Sequence, residues 1–123
     1  MNIPANLQYT SEHEWIRVEG DVAFVGITQY AADALGDIVY VDLPKAGTTI
    51  AAGSIVGEAE STKSVGELFA PVSGDIVEAN QAVIDSPELV NSDPYGAGWL
   101  FSVNFSSIGA VMSADDYEAM IAE

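Results

Sequence analysis

The chain has no cysteine, one histidine (His13), one arginine (Arg17) and two lysines (Lys45 and Lys63) among its 123 residues. Each scarcity excludes a class of chemistry. Without Cys there is no disulfide, thiol nucleophile, iron–sulfur site or zinc thiolate site. A single His excludes a multi-histidine metal centre. Three basic residues cannot track a phosphate backbone, so no nucleic-acid partner is expected, and an anionic membrane would repel the surface. No run approaches the ~18–20 apolar residues of a membrane span. The opening Met1-Asn2-Ile3-Pro4-Ala5-Asn6-Leu7 has neither the basic region nor the apolar core of a signal peptide, and no Arg-rich transit segment is present. The chain as it stands reads as cytoplasmic, or as a mature form without its leader.

What is abundant is acid: 19 Asp+Glu against 3 Lys+Arg, for a formal net charge of −16. Such a field favours encounter with basic partner surfaces; it also serves solubility or a salty cytoplasm, and charge alone does not separate these uses. At 49% hydrophobic and 18% charged, the chain can bury a core. The length suits a single domain over residues 1–123.

The secondary-structure signals are mostly those of strands. Glu14–Glu19 alternates, meets a Gly20-Asp21 turn, and Val22–Ile27 resumes, which predicts a β-hairpin. Thr28 is placed to cap a short helix over Gln29–Leu35, with Gly36 as its stop. Strands are expected at Ile38–Leu43, near Thr48–Ile50, at Ile55–Ser61, Val65–Phe69 and Trp99–Phe105, with turns at Pro44–Gly47, Gly53 and Pro71–Gly74. Ser61 and Gly66 break the alternation where apolar residues would be expected. Ser113, with Asp116 three residues on, opens a final helix through Ile121. Many short strands joined by Gly/Pro turns predict a sandwich or flattened barrel. Gly36-Asp37-Ile38-Val39 recurs as Gly74-Asp75-Ile76-Val77, either by chance or as the trace of two similar halves.

Catalytic chemistry has little to draw on. There is no G-x-S-x-G elbow and no Gly-rich phosphate cradle. Carboxylate pairs such as Glu58/Glu60, Asp115/Asp116 and Glu12/Glu14 arise without purpose among 19 acids. Of the two amines, Lys45 lies in an ordinary Pro-Lys-Ala-Gly turn. Lys63 lies between two strand-like segments, flanked by Ser61, Thr62 and Ser64, so it would project from a hairpin tip. That suits a lysine another enzyme must reach and acylate, although a lysine at a hairpin tip is usually just a solvated turn residue.

At these residues the sequence resembles the H-protein family of the glycine cleavage system, which carries lipoate. The resemblance runs from Tyr9-Thr10 and His13-Glu14-Trp15 through Val25-Gly26-Ile27-Thr28 and Gly36-Asp37-Ile38-Val39. It continues in Glu60-Ser61-Thr62-Lys63-Ser64-Val65, Ala70-Pro71-Val72-Ser73-Gly74, Pro87-Glu88-Leu89-Val90-Asn91 and Asp93-Pro94-Tyr95-Gly96 with Gly98-Trp99-Leu100. The lysine motif alone would suggest a lipoyl or biotinyl domain; His13-Glu14-Trp15 and Pro94-Tyr95-Gly96 narrow it. The resemblance implies a mainly β fold, a two-sheet antiparallel sandwich of the hammerhead lipoyl type with a short helix and a C-terminal helix. It implies lipoate in amide linkage on Lys63 and a carrier that catalyses nothing itself. The implied partners are a pyridoxal-phosphate glycine decarboxylase, a tetrahydrofolate-dependent aminomethyltransferase, a dihydrolipoyl dehydrogenase, and a lipoyl or octanoyl transferase or ligase. A monomer is expected. It further implies that Glu14 and Glu67 contact the loaded arm in a surface cleft, although the family usually has Asp where Glu67 stands. An alternative is a carrier that relays lipoyl groups to other complexes. The segment Phe105–Met112 lacks the acidic helical run common in the family before the last helix.

Overall fold

Turn chemistry cuts the chain into strands too short to stand alone, so they pair widely across the sequence. In the computed structural model, which describes residues 3–122, nine strands form two antiparallel sheets. Met1, Asn2 and Glu123 lie outside the described residues, and the first two carry with them part of the reading of the N-terminus. The strands are β1 (Gln8–Tyr9), β2 (Glu14–Glu19), β3 (Val22–Ile27), β4 (Ile38–Asp42), β5 (Thr49–Ile50), β6 (Ile55–Ser61), β7 (Val65–Phe69), β8 (Val72–Ala79) and β9 (Phe101–Ile108). The larger sheet runs β1-β2-β3-β9-β8-β5 and the smaller β4-β6-β7.

The inward positions of both sheets meet in one apolar layer. Val25 and Ile27 of β3, Phe101 and Val103 of β9 and Ile76 of β8 pack with Ile38 and Val41 of β4, Ala59 of β6 and Leu68 of β7. This is the expected two-sheet sandwich. The repeated Gly-Asp-Ile-Val does the same work in each sheet: Ile38 and Ile76 are buried, while Val39 and Val77 face outward. The glycines differ: Gly36 ends a helix before β4, whereas Gly74 lies inside β8.

The first helix, α1 (Gln29–Leu35), follows its sequence signals. The Thr28 side chain accepts from the Ala31 amide, and Gly36 ends the helix at φ 93°. The last, α4 (Ala114–Ile121), is capped by Ser113, whose hydroxyl accepts from the Asp116 amide at 3.2 Å. Eight residues are too few for a helix to persist in water by itself. Tyr117, fully buried, anchors it by stacking on Tyr9 with ring centroids 4.9 Å apart. Leu7, Tyr9, Trp15 and Tyr117 make a second apolar cluster here.

Two expectations need correction. Pro71–Gly74 is not a turn, because β8 begins at Val72 and pairs with β9 through a bulge between Ser73 and Gly74. Gly74 sits there at φ 154°, and a Cβ on it would collide with the Asn104 carbonyl. Glycine marks a strand irregularity here and not its end. The last strand lies at Phe101–Ile108, two residues later than Trp99–Phe105 at its start. The Trp99 carbonyl is taken by the Asn80 side chain, at 2.7 Å, and so leaves the ladder. Ser106 and Ser107 conceal the strand's continuation, although Ser107 and Ile108 pair with Ser73 and Val72. Two further helices, α2 (Gln81–Asp85) and α3 (Leu89–Ser92), had no periodic signal to reveal them, being one turn or little more.

Candidate functional site

The tip of the β6–β7 hairpin is built by Ser61. Its amide donates to the Ser64 carbonyl at 2.8 Å, closing the turn. Its hydroxyl accepts from the amides of Lys63 (3.2 Å) and Ser64 (2.9 Å) and donates to the Ser64 carbonyl (3.1 Å). The polar residue that breaks the apolar alternation is therefore the one that folds the loop. Lys63 projects from this tip and is exposed. Among the described residues the one ion pair is Arg17–Glu19, so the Lys63 amine is not tied to an acid. Its stem lies over the end of α1, where a Cβ placed on Gly36 would sit 3.0 Å from Lys63 Cε.

Beside that point opens a cleft of about 380 Å³ between α1, β7 and the turn before β2. Ile27, Ala31, Leu35 and Leu68 make its apolar walls, and His13, Glu14 and Glu67 supply polar groups. Gly66 makes room for α1 to approach, since a Cβ there would come within 3.0 Å of Leu35 Cδ2. The second break in the β6–β7 pattern is thus the floor of the cleft. Both acids singled out in the sequence, Glu14 and Glu67, lie in this one cleft. Their environments differ: Glu67 is exposed, whereas Glu14 is 2% exposed.

Glu14 begins β2 and points across to β7. Its Oε2 accepts from the Phe69 amide at 2.8 Å, and Oε1 accepts from the Thr10 hydroxyl at 3.3 Å. Burial pushes its pKa up to about 7 against the pull of those two hydrogen bonds, with the nearby Glu12 charge adding a little in the same direction as burial. A buried carboxyl of this kind is solvated by few groups and gains most from a cation brought beside it. A second hollow of about 390 Å³, lined by Thr10, Gly53, Phe69, Pro71 and Gly109, reaches Glu14 from its other side.

Several residues quoted from the sequence for their order turn out to fix this site from behind. Asn91 of α3 donates from Nδ2 to the Gly36 carbonyl and accepts at Oδ1 from the Ile38 amide, both at 2.9 Å, locking the α1–β4 junction. Trp15 Nε1 donates to the Pro94 carbonyl at 3.0 Å, and the Tyr95 hydroxyl accepts from the Gln29 amide at 3.0 Å. Nothing in the sequence links His13, which lines the cleft, to Tyr117 and Thr28 behind it. His13 Nδ1 lies 2.9 Å from the Tyr117 hydroxyl, which lies 2.7 Å from Thr28 Oγ1. The contact joins residues 104 positions apart, a separation at which no local pattern operates.

The comparisons with known proteins point the same way. The sequence model of a family described as Glycine cleavage H-protein matches residues 7–123. A glycine cleavage system H protein of Clavibacter sepedonicus is 58% identical over 123 residues, covering 100% of both chains. One from Bacteroides fragilis is 51% identical over 124 residues, covering 98% of each. The crystal structure of a glycine cleavage system H protein from Mycobacterium marinum superposes with a TM-score of 0.94 at 46% identity, covering 98% of this chain and 100% of that one.

Proposed function

The chain belongs to the glycine cleavage H-protein family, and from that membership we propose that it is the system's lipoyl carrier, with lipoate in amide linkage on Lys63. It is a carrier subunit and not a catalyst. Its partners are those of the glycine cleavage system: the pyridoxal-phosphate decarboxylase, the tetrahydrofolate-dependent aminomethyltransferase and the dihydrolipoyl dehydrogenase, with a lipoyl or octanoyl transferase or ligase to install the arm in the cytoplasm.

One observation carries the reading. An exposed amine, held on a rigid tip, sits at the α1 end of an apolar cleft that also holds a buried carboxyl. The donor set fits the group, since an amide-linked arm needs one reachable lysine and a place to shelter. The lipoyl group, when bound, supplies the disulfide and thiol chemistry that takes up the aminomethyl group of glycine. The chain's own residues do the rest. Ser61 orders the tip, so Lys63 is presented in one conformation to each enzyme in turn. The walls of Ile27, Ala31, Leu35 and Leu68 exclude water, which would otherwise hydrolyse an aminomethyl cargo. Glu14 pairs with the cargo's ammonium, a charge-assisted hydrogen bond strengthened by its dry surroundings. Glu67, exposed at the same cleft, adds negative charge at the mouth.

The test is intact-mass and peptide-mapping analysis after incubation with lipoate, ATP and a lipoyl ligase. One lipoyl adduct is expected, on Lys63, and none in Lys63→Ala. An adduct on Lys45 overturns the assignment.

A further inference from the structure

His13 stands out on its backbone. It is the one non-glycine residue with positive φ among the described residues, at 69°. Left-handed backbone is uncommon for a residue with a side chain, His being among the types that adopt it more readily, and here three elements hold it in place. The His13 amide donates to the Thr10 carbonyl at 3.1 Å, and its carbonyl accepts from the Thr28 amide at 3.0 Å. Its ring packs on Tyr30 of α1, with centroids 4.9 Å apart, and Nδ1 meets the Tyr117 hydroxyl of α4. The next residue is Glu14, which lines the cleft and whose carboxyl accepts from the Phe69 amide of β7.

The order of protons along this chain of hydrogen bonds is constrained. Thr28 Oγ1 already accepts from the Ala31 amide at 3.2 Å, and the Tyr117 hydroxyl is its remaining partner. If the Thr28 hydroxyl donates to Tyr117, the Tyr117 hydroxyl donates to His13 Nδ1, and every proton is used. That arrangement requires a neutral His13 with its proton on Nε2. Protonating His13 reverses the chain and strands the Thr28 hydroxyl, in a residue with no exposed surface. Burial holds the His13 pKa below its ordinary value, against the pull of Glu12. The other titratable groups facing the ring are Tyr30 and Tyr117; Glu14 and Glu67 share its cleft.

We infer that His13 is a positioning residue for the cleft: through the Tyr117–His13 tether, helix α4 holds the left-handed turn that aims Glu14, and so governs how long a cationic cargo is retained. The inference rests on the cleft being the shelter of the lipoyl arm. It assigns α4, which lies behind the cleft wall, a part in retention as well as in folding. The tether also gives retention a second pH dependence, because protonating His13 reverses the tether and costs the buried Thr28 hydroxyl its partner.

Two measurements test it. In the first, the lipoylated chain and its Tyr117→Phe, His13→Asn and double variants are loaded from glycine by a cognate decarboxylase, and ammonia release is followed with time. Asn tolerates left-handed backbone, so His13→Asn removes the tether while sparing the turn. Tyr117→Phe keeps the buried ring. Each single variant is expected to lose cargo about fivefold faster than the parent above pH 7, the change brought by losing one ordinary hydrogen bond. The double variant is expected to add nothing to His13→Asn. The ratio between Tyr117→Phe and parent should shrink towards one as His13 protonates at lower pH. Parent-like retention in Tyr117→Phe overturns the inference, as does additivity in the double variant. The second measurement needs no arm: nitrogen NMR of the His13 ring in the unmodified chain. A neutral ring protonated on Nε2 is expected, and a proton on Nδ1 overturns the inference. A parent chain that takes up no lipoyl group would instead refute the carrier reading, and the ring tautomer would still decide the tether.

Discussion

Glu14 is pulled in opposite directions by its surroundings, and the balance lies near neutral pH. Burial favours the protonated carboxyl, while the Phe69 amide and Thr10 hydroxyl favour the carboxylate; the outcome is a pKa raised from 4.5 to about 7. An ammonium docked against it tips the balance to the carboxylate, so arrival of a cationic cargo near pH 7 should release a proton. In the empty chain the same shift has a consequence for stability. Between pH 4.5 and 7 the folded chain keeps a proton that the unfolded chain has lost. Glu14 therefore contributes most below pH 4.5, and its contribution declines as pH rises through 7. Glu14→Gln cannot titrate and should lack this decline. The stability of the parent relative to Glu14→Gln should then fall by roughly 2–3 kcal/mol between pH 5 and pH 8, as measured by urea unfolding at both. Parallel pH profiles would mean that the carboxyl titrates as an ordinary surface acid.

The β6–β7 hairpin concentrates what the sequence could and could not convey. Its two strand ranges were legible to the residue, because alternation and flanking turn residues are local signals. Its two exceptions, Ser61 and Gly66, were legible only as exceptions. Ser61 is explained by hydrogen bonds to the backbone of its own loop, and Gly66 by the side chain of Leu35, which arrives from another element. Lys63 stands out in the sequence because it is one of two lysines and has a recognisable context. Glu14 is singled out only by the family resemblance, and its burial depends on β7 and cannot be read from Glu12-His13-Glu14. Helices α2 and α3 were invisible because four or five residues carry no period. The element also makes a prediction. Ser61→Ala leaves the Lys63 and Ser64 amides without their acceptor at the tip. A loss of about 1 kcal/mol in unfolding free energy is expected, as for removal of a capping hydroxyl. The initial rate of Lys63 lipoylation should fall by more than stability alone implies, since the folded protein then presents the amine from a less ordered loop. An unchanged lipoylation rate would show that the ligase reads the lysine without regard to the shape of the tip.

Across the whole molecule the acidic excess is not spread evenly with respect to the arm. On the outer face of the smaller sheet, Asp42, Glu58 and Glu67 are direct neighbours on three adjacent strands, all exposed. The adjacent row places Glu60 between Tyr40 and Val65, which are 57% and 53% exposed. Like charges set directly across a sheet repel, so this row costs stability where it stands. The same face belongs to the hairpin that ends in Lys63, and the acylation proposed for that lysine would remove one of only three basic side chains. A carrier that must meet several enzymes in succession gains from such a field if their docking faces are basic, because long-range attraction raises the rate of encounter. Steering and self-repulsion share one cause but respond to salt with opposite consequences. Raising NaCl from 0.1 to 1 M shortens the screening length from ~10 Å to ~3 Å. Self-repulsion then weakens, so the unfolding free energy should rise. Steering weakens too, so aminomethyl transfer at limiting carrier concentration should slow, with the loss falling on the apparent association rate and not on turnover at saturation. If transfer keeps its rate while stability climbs, the acidic face serves solubility or a salty interior, and recognition must rest on short-range contacts around the hairpin tip.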